Sequence, residues 1–402
     1  MAIFGKAMTF CDVLTLTLKR CKYIISNGSM LTAKPFSIST QNHENYDIII
    51  TGGGMVGSTL ACAIANNRKL ECKKILLLES NKQHKYKSQE KYSNRVVALN
   101  KQTRCLLSSI GAWQHIEAIR YSTVRKMQIG ADGVNSLVRK TMNTQYVKWD
   151  YNQMGIVATL KLSEPGENIV AWQRFLPNGP IALLPLTNDL SSLVWSLPID
   201  EAKRLLKVSE EEFVDNINTA LWKVYPKDGI VESGMKALQQ LLEGLSLQTG
   251  VVRQLQPSIS AISEGSRAAF PLQFGHSVSY VQTGTVLVGD AAHRVHPLAG
   301  QGVNLGFGDI TVLVQLLAEA VINGVPIGNI MYLRKYETLR QRYNVPIMFA
   351  IDALHRLYNG TAAPIVLVRS LGLQLTNAIP VIKVKYISKN NKIKYYILFY
   401  IN

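Results

Sequence analysis

Cysteine, acidic residues and long uncharged apolar runs are all scarce in this 402-residue chain, and each scarcity excludes something. The five cysteines (Cys11, Cys21, Cys62, Cys72 and Cys105) include no CxxC pair and are too sparse for a disulfide framework, so a reducing compartment is expected. No run of 18 uncharged apolar residues occurs. The apolar stretch Ile310 to Val325 follows Asp309 and contains Glu319, so no integral membrane helix is predicted. No G-x-S-x-G or Ser/His/Asp arrangement is present, which leaves hydrolytic chemistry without support. What is there is globular in composition, 47% hydrophobic against 18% charged, with length for two or three domains at about 150 residues each.

Bases outnumber acids, 44 to 27, for a net charge of +17. The excess is spread over the chain: +3 in residues 1–45, +9 in 46–382 and +5 in 383–402. No basic helix with interleaved aromatics stands out, so nucleic acid is not an expected partner. A basic face toward acidic lipid or an acidic redox partner fits better. Residues 1–45 are rich in Ser and Thr, carry Lys6, Lys19, Arg20, Lys22 and Lys34, and enclose an apolar run from Phe10 to Leu18. This reads as a mitochondrial presequence, the alternative being a secretory segment, although no small-residue cleavage pattern follows it cleanly. In residues 383–402, 17 of 20 are Lys, Asn, Ile, Tyr or Phe, all with A/T-rich codons. That composition reads as translated non-coding sequence, or as a basic-aromatic tail on a membrane surface.

The run Tyr46-Asp47-Ile48-Ile49-Ile50-Thr51 flows into Gly52-Gly53-Gly54-Met55-Val56-Gly57 and then a helical segment. Strand, GxGxxG, helix is the order that dinucleotide binding requires. Gly52 makes the tight turn, Gly54 admits a pyrophosphate, Gly57 lets helix pack on strand, and the helix N-terminus faces the phosphates. A second apolar run, Ile75 to Leu78, ends at Glu79, placed to accept from a ribose hydroxyl. The plain alternative is a glycine-rich turn in a ligand-free α/β domain. NAD and FAD share this motif.

Near the other end, Val286-Leu287-Val288 runs into GDAAHRVHPLAGQGVNLGFGD (residues 289–309) and a helical pattern to about Asn323. This segment resembles the second FAD motif of the aromatic-ring flavin monooxygenases of the para-hydroxybenzoate hydroxylase type and, more narrowly, of the ubiquinone-biosynthesis monooxygenases. The stretch from Ile129 to Arg139 is similar to that family's middle DG motif. Further matching stretches are Tyr92 to Val96, Ala171 to Pro177, and Tyr336-Glu337 through Gln341-Arg342, collinear over residues 46–382.

The resemblance implies an α/β fold: an FAD-binding Rossmann-like domain, discontinuous over 46–146 and 271–382, an antiparallel substrate-domain sheet over 147–270, and C-terminal helices. It implies Asp290 on the ribityl chain, Gly300, Gln301 and Gly302 opening a helix toward the flavin pyrimidine edge, and Pro297 beside the reactive edge. Asn304 falls in the first turn of that helix, Arg95 near the FAD phosphates and Asp132 at the DG turn. Asp290 and Asp132 also read as ordinary turn formers. His293 and His296 form an H-x-x-H with no third ligand, so no metal is expected. Between the motifs, residues 155–160, 171–175, 181–185 and 192–195 alternate as short strands, with a helix near 210–224.

By the same resemblance the activity is FAD-dependent hydroxylation of the aromatic ring of a polyprenylated precursor in ubiquinone biosynthesis. The second substrate is O2, and no catalytic acid or base is assigned. Electrons would come from NADPH directly or through a ferredoxin and its reductase, since only one GxGxxG is present. The expected setting is the matrix side of the mitochondrial inner membrane, peripheral, within a ubiquinone-biosynthesis complex.

One departure stands out. Between Glu79 and Gly130 there is no room for the third parallel strand, and Gln128-Ile129 reads as a junction where a segment of the order of a hundred residues is missing. Unpaired sheet edges and exposed apolar surface follow from that reading. The competing functions are a non-catalytic scaffold subunit of the same assembly and an NAD-dependent dehydrogenase, in which the GD motif would have no role.

Overall fold

The computed structural model describes residues 46–79, 99–113, 136–223 (except 165, 167 and 169), 229–244 and 256–378 (except 361), with three short strands at 2–4, 21–25 and 121–123. In chain order these include β1 (Ala2–Phe4), β2 (Cys21–Ile25), β3 (Ile48–Thr51), α1 (Met55–Ala65), β4 (Ile75–Glu79), α2 (Lys101–Ser109), β5 (Tyr121–Thr123), α3 (Leu137–Thr141) and β6 (Tyr146–Leu162). There follow β7 (Trp172–Leu176), β8 (Gly179–Pro185), β9 (Leu190–Pro198), α4 (Ile199–Lys207), α5 (Glu210–Trp222), α6 (Gly229–Gly244), β10 (Ile259–Ile262) and β11 (Ala268–Ser277). The last are β12 (Val281–Gln282), β13 (Thr285–Val286), β14 (His293–Arg294), α7 (Gly302–Ile322), α8 (Ile330–Asn359) and α9 (Ala363–Ala378).

The apolar runs before the glycine loop and before Glu79 form parallel neighbours β3 and β4, with Ile48 opposite Ile75. The third strand of that sheet is β2, parallel to the far edge of β4 in the order β2-β4-β3. This corrects the expectation of an unpaired edge there: residues preceding the glycine loop supply the strand. An exposed apolar residue is nonetheless present on this sheet, Ile49 at 60% exposure.

The antiparallel sheet has seven strands in the order β14-β11-β6-β9-β8-β7, with β10 also on β6. It runs from Tyr146 to Ser277 and takes its edge strand, β14, from the segment after Gly289. Period-2 alternation puts Ile156, Ala158, Leu160, Ile181, Leu183, Leu193 and Trp195 on one face, where α4 and α5 cover them through Leu205, Phe213 and Ile217. Helix α5 has an acidic first turn, and its Ser209 cap accepts from Glu212 N at 3.1 Å. Its C-terminal carbonyls are met by Arg174 of β7, which donates to Ala220 O at 3.0 Å and to Leu221 O and Lys223 O at 2.5 Å.

A register shift on the long strand β6 pairs Leu272 with Gln153 but Gln273 with Asp150, so Tyr151 and Asn152 are inserted, Asn152 with φ +54°. Trp149 and Tyr151, at this shift, pack in one cluster with Phe274 and with Met348 and Ile351 of α8. The nucleotide half has its own core, in which Leu60, Ile64, Leu77, Leu107, Phe307, Ile310 and Tyr336 meet. Helix α7 is the one described helix long and apolar enough to cross a membrane, and 67% of its most apolar window is buried inside the protein.

Candidate functional site

The loop after β3 is built by close backbone approach. A Cβ on Gly57 would lie 1.9 Å from Gly52 O, so only glycine lets α1 start that close to the strand. Gly52 N donates to Leu78 O at 2.8 Å, Ser58 Oγ to Gly53 O at 2.7 Å, and Gly53 N to Glu79 Oε2 at 2.7 Å. Glu79, at the end of β4, thus holds a loop amide. Gly54 is the N-cap of α1; among the described residues no side chain caps the helix, and a Cβ at Gly54 would meet none of their atoms within 4 Å. Backbone N–H groups at a helix N-terminus left uncapped in this way bind phosphate.

The second motif is set by a buried charge network. Asp309 on α7 is fully buried and accepts from Gly289 N (2.8 Å), His293 Nε2 (2.6 Å), Arg340 Nε (2.7 Å) and Asn344 Nδ2 (3.2 Å). Burial pushes the Asp309 carboxyl up, but His293 and Arg340 outweigh it through charge and hydrogen bonds, and the group is held below the usual carboxylate range. Helix α8 supplies the rest of the frame: Tyr336 Oη donates to Leu287 O at 2.9 Å, and Glu337 accepts from Ser279 Oγ at 2.8 Å and Tyr280 N at 2.6 Å. Asp290 is buried at 6% exposure in the turn this frame holds, and Arg139 of α3 donates to Ala291 O at 2.8 Å.

Beyond β14, Pro297–Ala299 forms a single 3-10 turn closed by Gly300 at φ +54°, the left-handed conformation that favours glycine. His296 Nδ1 accepts from Leu298 N at 3.1 Å, and Gln173 of β7 donates to Leu298 O at 3.2 Å, so the antiparallel sheet touches this turn directly. Gln301 is the N-cap of α7 and no side chain caps that helix either. Asn304, in the first turn, accepts from Asn100 N (3.1 Å) and Thr103 Oγ1 (3.2 Å) and donates to Gly300 O (3.1 Å), tying the turn to α2.

The two motifs meet at Val56. A Cβ on Gly306 would lie 2.9 Å from Val56 Cγ2, and one on Gly289 3.3 Å from the same atom, so Val56 of the first motif packs into a glycine-lined notch of the second. Gly52 and Gly54 thus lie on the loop after β3, Gly57 in the first turn of α1 and Glu79 at the end of β4 beside them, while Asp290, Pro297, Gly300 and Gln301 lie in the adjoining turns and Gly302 and Asn304 in the first turn of α7. Arg95, Asp132 and the Gln128-Ile129 junction lie outside the described residues.

Sequence reasoning missed Asp309, Arg340 and Asn344, which shape the site from behind. An acid near the start of an apolar helical run, followed about 30 residues later by an arginine on the next helix, was the available signal. It missed Gln173, Tyr151, Asp352 and His355 as well, because nothing local marks them.

Residues 266–343 match the family model described as FAD binding domain. The chain is 40% identical over 451 residues to "Ubiquinone biosynthesis monooxygenase COQ6, mitochondrial" of Danio rerio, covering 89% of this chain and 93% of that one. To the protein of the same name from Homo sapiens it is 39% identical over 424 residues, covering 84% and 91%. Among solved structures it shares its fold with p-nitrophenol 4-monooxygenase PnpA from Pseudomonas putida DLL-E4, at 12% identity and a TM-score of 0.55, over 85% of this chain and 96% of that one.

Proposed function

The chain belongs to the family of ubiquinone biosynthesis monooxygenases named COQ6, and from that membership and the site we propose how it works. It is an FAD-dependent monooxygenase of ubiquinone biosynthesis whose substrate is the aromatic ring of a polyprenylated precursor, with O2 as the second substrate. The observation that carries this reading is the junction at Val56, which packs the first turn of α1 against Gly289 and the early turns of α7, two helices whose N-termini have no side-chain cap among the described residues. An elongated anionic dinucleotide fits that arrangement, with phosphates at one helix end and a ring that gains negative charge on reduction at the other.

FAD supplies the oxygen activation when bound. The chain's own residues do the rest. Gly52, Gly54 and Gly57 admit the pyrophosphate, Glu79 accepts from the adenosine ribose, and Asp290 accepts from the ribityl chain. Pro297 and the amides of Gly300, Gln301 and Gly302 line the ring. Arg95 and Asp132 complete the phosphate and turn contacts. Gln173 fixes the distance between that turn and the sheet that covers the substrate, which keeps water from the reacting ring.

The electron donor is NADPH docking on the flavin face or a ferredoxin-type carrier, whose acidic surface the +17 chain would attract. The relatives are named mitochondrial, and the matrix face of the inner membrane, where a prenylated substrate resides, is the proposed location. FAD added to the purified chain and then stripped of excess by gel filtration should leave a flavin band near ~450 nm. With reductant, the loaded protein should consume O2. A colourless protein would overturn the reading for this chain.

A second reading has a specific support. An alignment 451 positions long that takes up 89% of 402 residues leaves about ninety positions filled by the Danio rerio relative alone. That supports sequence missing from within this chain, which the resemblance would put at Gln128-Ile129, and with it a non-catalytic form acting as a binding subunit of a ubiquinone-biosynthesis complex. Transcripts and tryptic peptides from the source carrying the extra segment would support it. Their complete absence, with this chain abundant and active, would count against it.

A further inference from the structure

Outside the contacts assigned above, four side chains gather behind the turn Pro297–Ala299: His296 itself, Tyr151 from the register shift in β6, and Asp352 and His355 from α8. The His296 ring lies edge-on to Tyr151, with centroids 4.9 Å apart at 86°, and tilted against His355 at 4.5 Å and 35°. Tyr151 also meets His355 edge-on at 4.4 Å. Asp352 is engaged by Tyr151 Oη (2.9 Å), Trp149 Nε1 (3.2 Å) and Arg356 Nε (2.7 Å), and by neither imidazole.

The nitrogens of the two rings can be assigned. His296 Nδ1 accepts from Leu298 N, and a ring nitrogen that accepts carries no proton, so the proton of the neutral ring sits on Nε2. His296 is fully buried, and Nε2 has no partner among the described residues. On the facing ring, His355 Nε2 lies 3.0 Å from Asn359 Nδ2, and Nδ1 likewise has no partner among the described residues. Buried polar atoms in native proteins are satisfied by protein or by ordered water. Whichever way the Asn359 amide is turned, His355 Nδ1 is a donor or an acceptor, and water can serve as either.

We propose that His296 is a positioning residue for the turn Pro297–Ala299 and works through both ring nitrogens: Nδ1 fixes the turn, and Nε2–H is held to His355 by one buried water. The turn is then clamped from two sides, by His296 on the α8 side and by Gln173 on the sheet side. Tyr151 and Asp352 set the ring planes. Burial keeps both imidazoles neutral, His296 with its pKa pushed down to about 3 and His355 to about 4, so the clamp holds without a charge. That the clamped turn faces flavin rests on the function proposed above; the clamp itself does not.

Two variants separate the nitrogens, because an Asn amide oxygen stands near the position of Nδ1 whereas a Gln amide reaches that of Nε2. His296→Asn should bind FAD within about threefold of the wild type in a fluorescence titration. His296→Gln, with the same melting temperature, should bind about tenfold more weakly, the loss expected for one hydrogen bond. In long-range 15N–1H spectra of the flavin-free chain, His296 should be neutral and protonated on Nε2 from pH 8 down to pH 5. Its Nε2 proton should show a cross-peak to a long-lived water that disappears in His355→Leu.

A His296 that titrates near its ordinary value, the opposite tautomer, no water cross-peak in the wild type, or equal losses in both variants would overturn the proposal. A wild-type chain that retains no FAD would defeat the cofactor reading and leave the spectra to decide the clamp.

Discussion

Arg340 Nε lies 2.7 Å from Asp309 Oδ1, 31 residues away in sequence, with both side chains withdrawn from solvent. A buried carboxylate of this kind is tolerated only while every lone pair is engaged, and here Gly289, His293, Arg340 and Asn344 engage them. Removing one partner leaves an uncompensated charge. Arg340→Leu should therefore destabilise the chain by about 3–5 kcal/mol in urea unfolding. Asp309→Asn should loosen Gly289 and with it the FAD turn. The Asp309 carboxyl is depressed in the folded state, so its contribution is present above the ordinary carboxylate value of 3.8 and is lost as pH falls through the lower folded value. In Asp309→Asn that acid-side loss should be diminished.

Gly57 and Gly54 should fail in different ways. In Gly57→Ala the new methyl would stand 1.9 Å from Gly52 O, so the loop must open and the melting temperature should fall. In Gly54→Ala the methyl meets no atom of the described residues within 4 Å, so the flavin-free chain should melt as the wild type does. It should nonetheless lose FAD, because the proposed function puts the pyrophosphate in that space, against the backbone. Equal FAD retention in Gly54→Ala and wild type would place the phosphates elsewhere.

The imidazoles of His296 and His355 set a pH dependence of stability. Both have folded values below the ordinary 6.5, so between about 6.5 and about 4 the unfolded chain binds more protons than the folded one, and stability rises with pH. The chain should lose stability as pH falls from 7 toward 4, and the double variant His296→Asn/His355→Leu should show a shallower slope over that window. Denaturant unfolding at half-unit intervals measures it.

Phe213 is fully buried between α5 and the antiparallel sheet, with the Arg267 guanidinium 4.9 Å from its ring centre. Phe213→Ala should cost about 3–5 kcal/mol, the range for deleting an aromatic side chain from a packed core. Because α5 lies on the sheet face away from the turn Pro297–Ala299, FAD retained by the folded fraction should be unchanged. A parallel loss of FAD affinity would show that packing on the covered sheet face is transmitted to the turn through β14, Tyr151 or Gln173.

The local motifs were legible because their chemistry is local. A strand entering GxGxxG, an acid at the end of the next strand, and an apolar run entering GDAAHRVHPLAGQG each constrain backbone within a few residues, and the structure builds β3, β4, α1 and α7 where those patterns lie. Alternation likewise located β6 to β9, since a period of two needs only one buried face.

Tertiary structure alone decided three things, each a matter of atoms distant in the chain. The β4 edge is taken by Cys21–Ile25, because a strand edge accepts any chain with free backbone groups and sequence does not say which. Asp309 is bound to Arg340 rather than to the flavin side, because helix α8 has to pack on α7 before that pair exists. Tyr151 and His355 reach His296 only because β6 and α8, both distant in the chain, pass beside the turn. The amino-acid order determined which backbone segments can hold a dinucleotide, through glycine and periodicity. Packing between segments determined which side chains hold those segments still, because burial and charge pairing are properties of the assembled core.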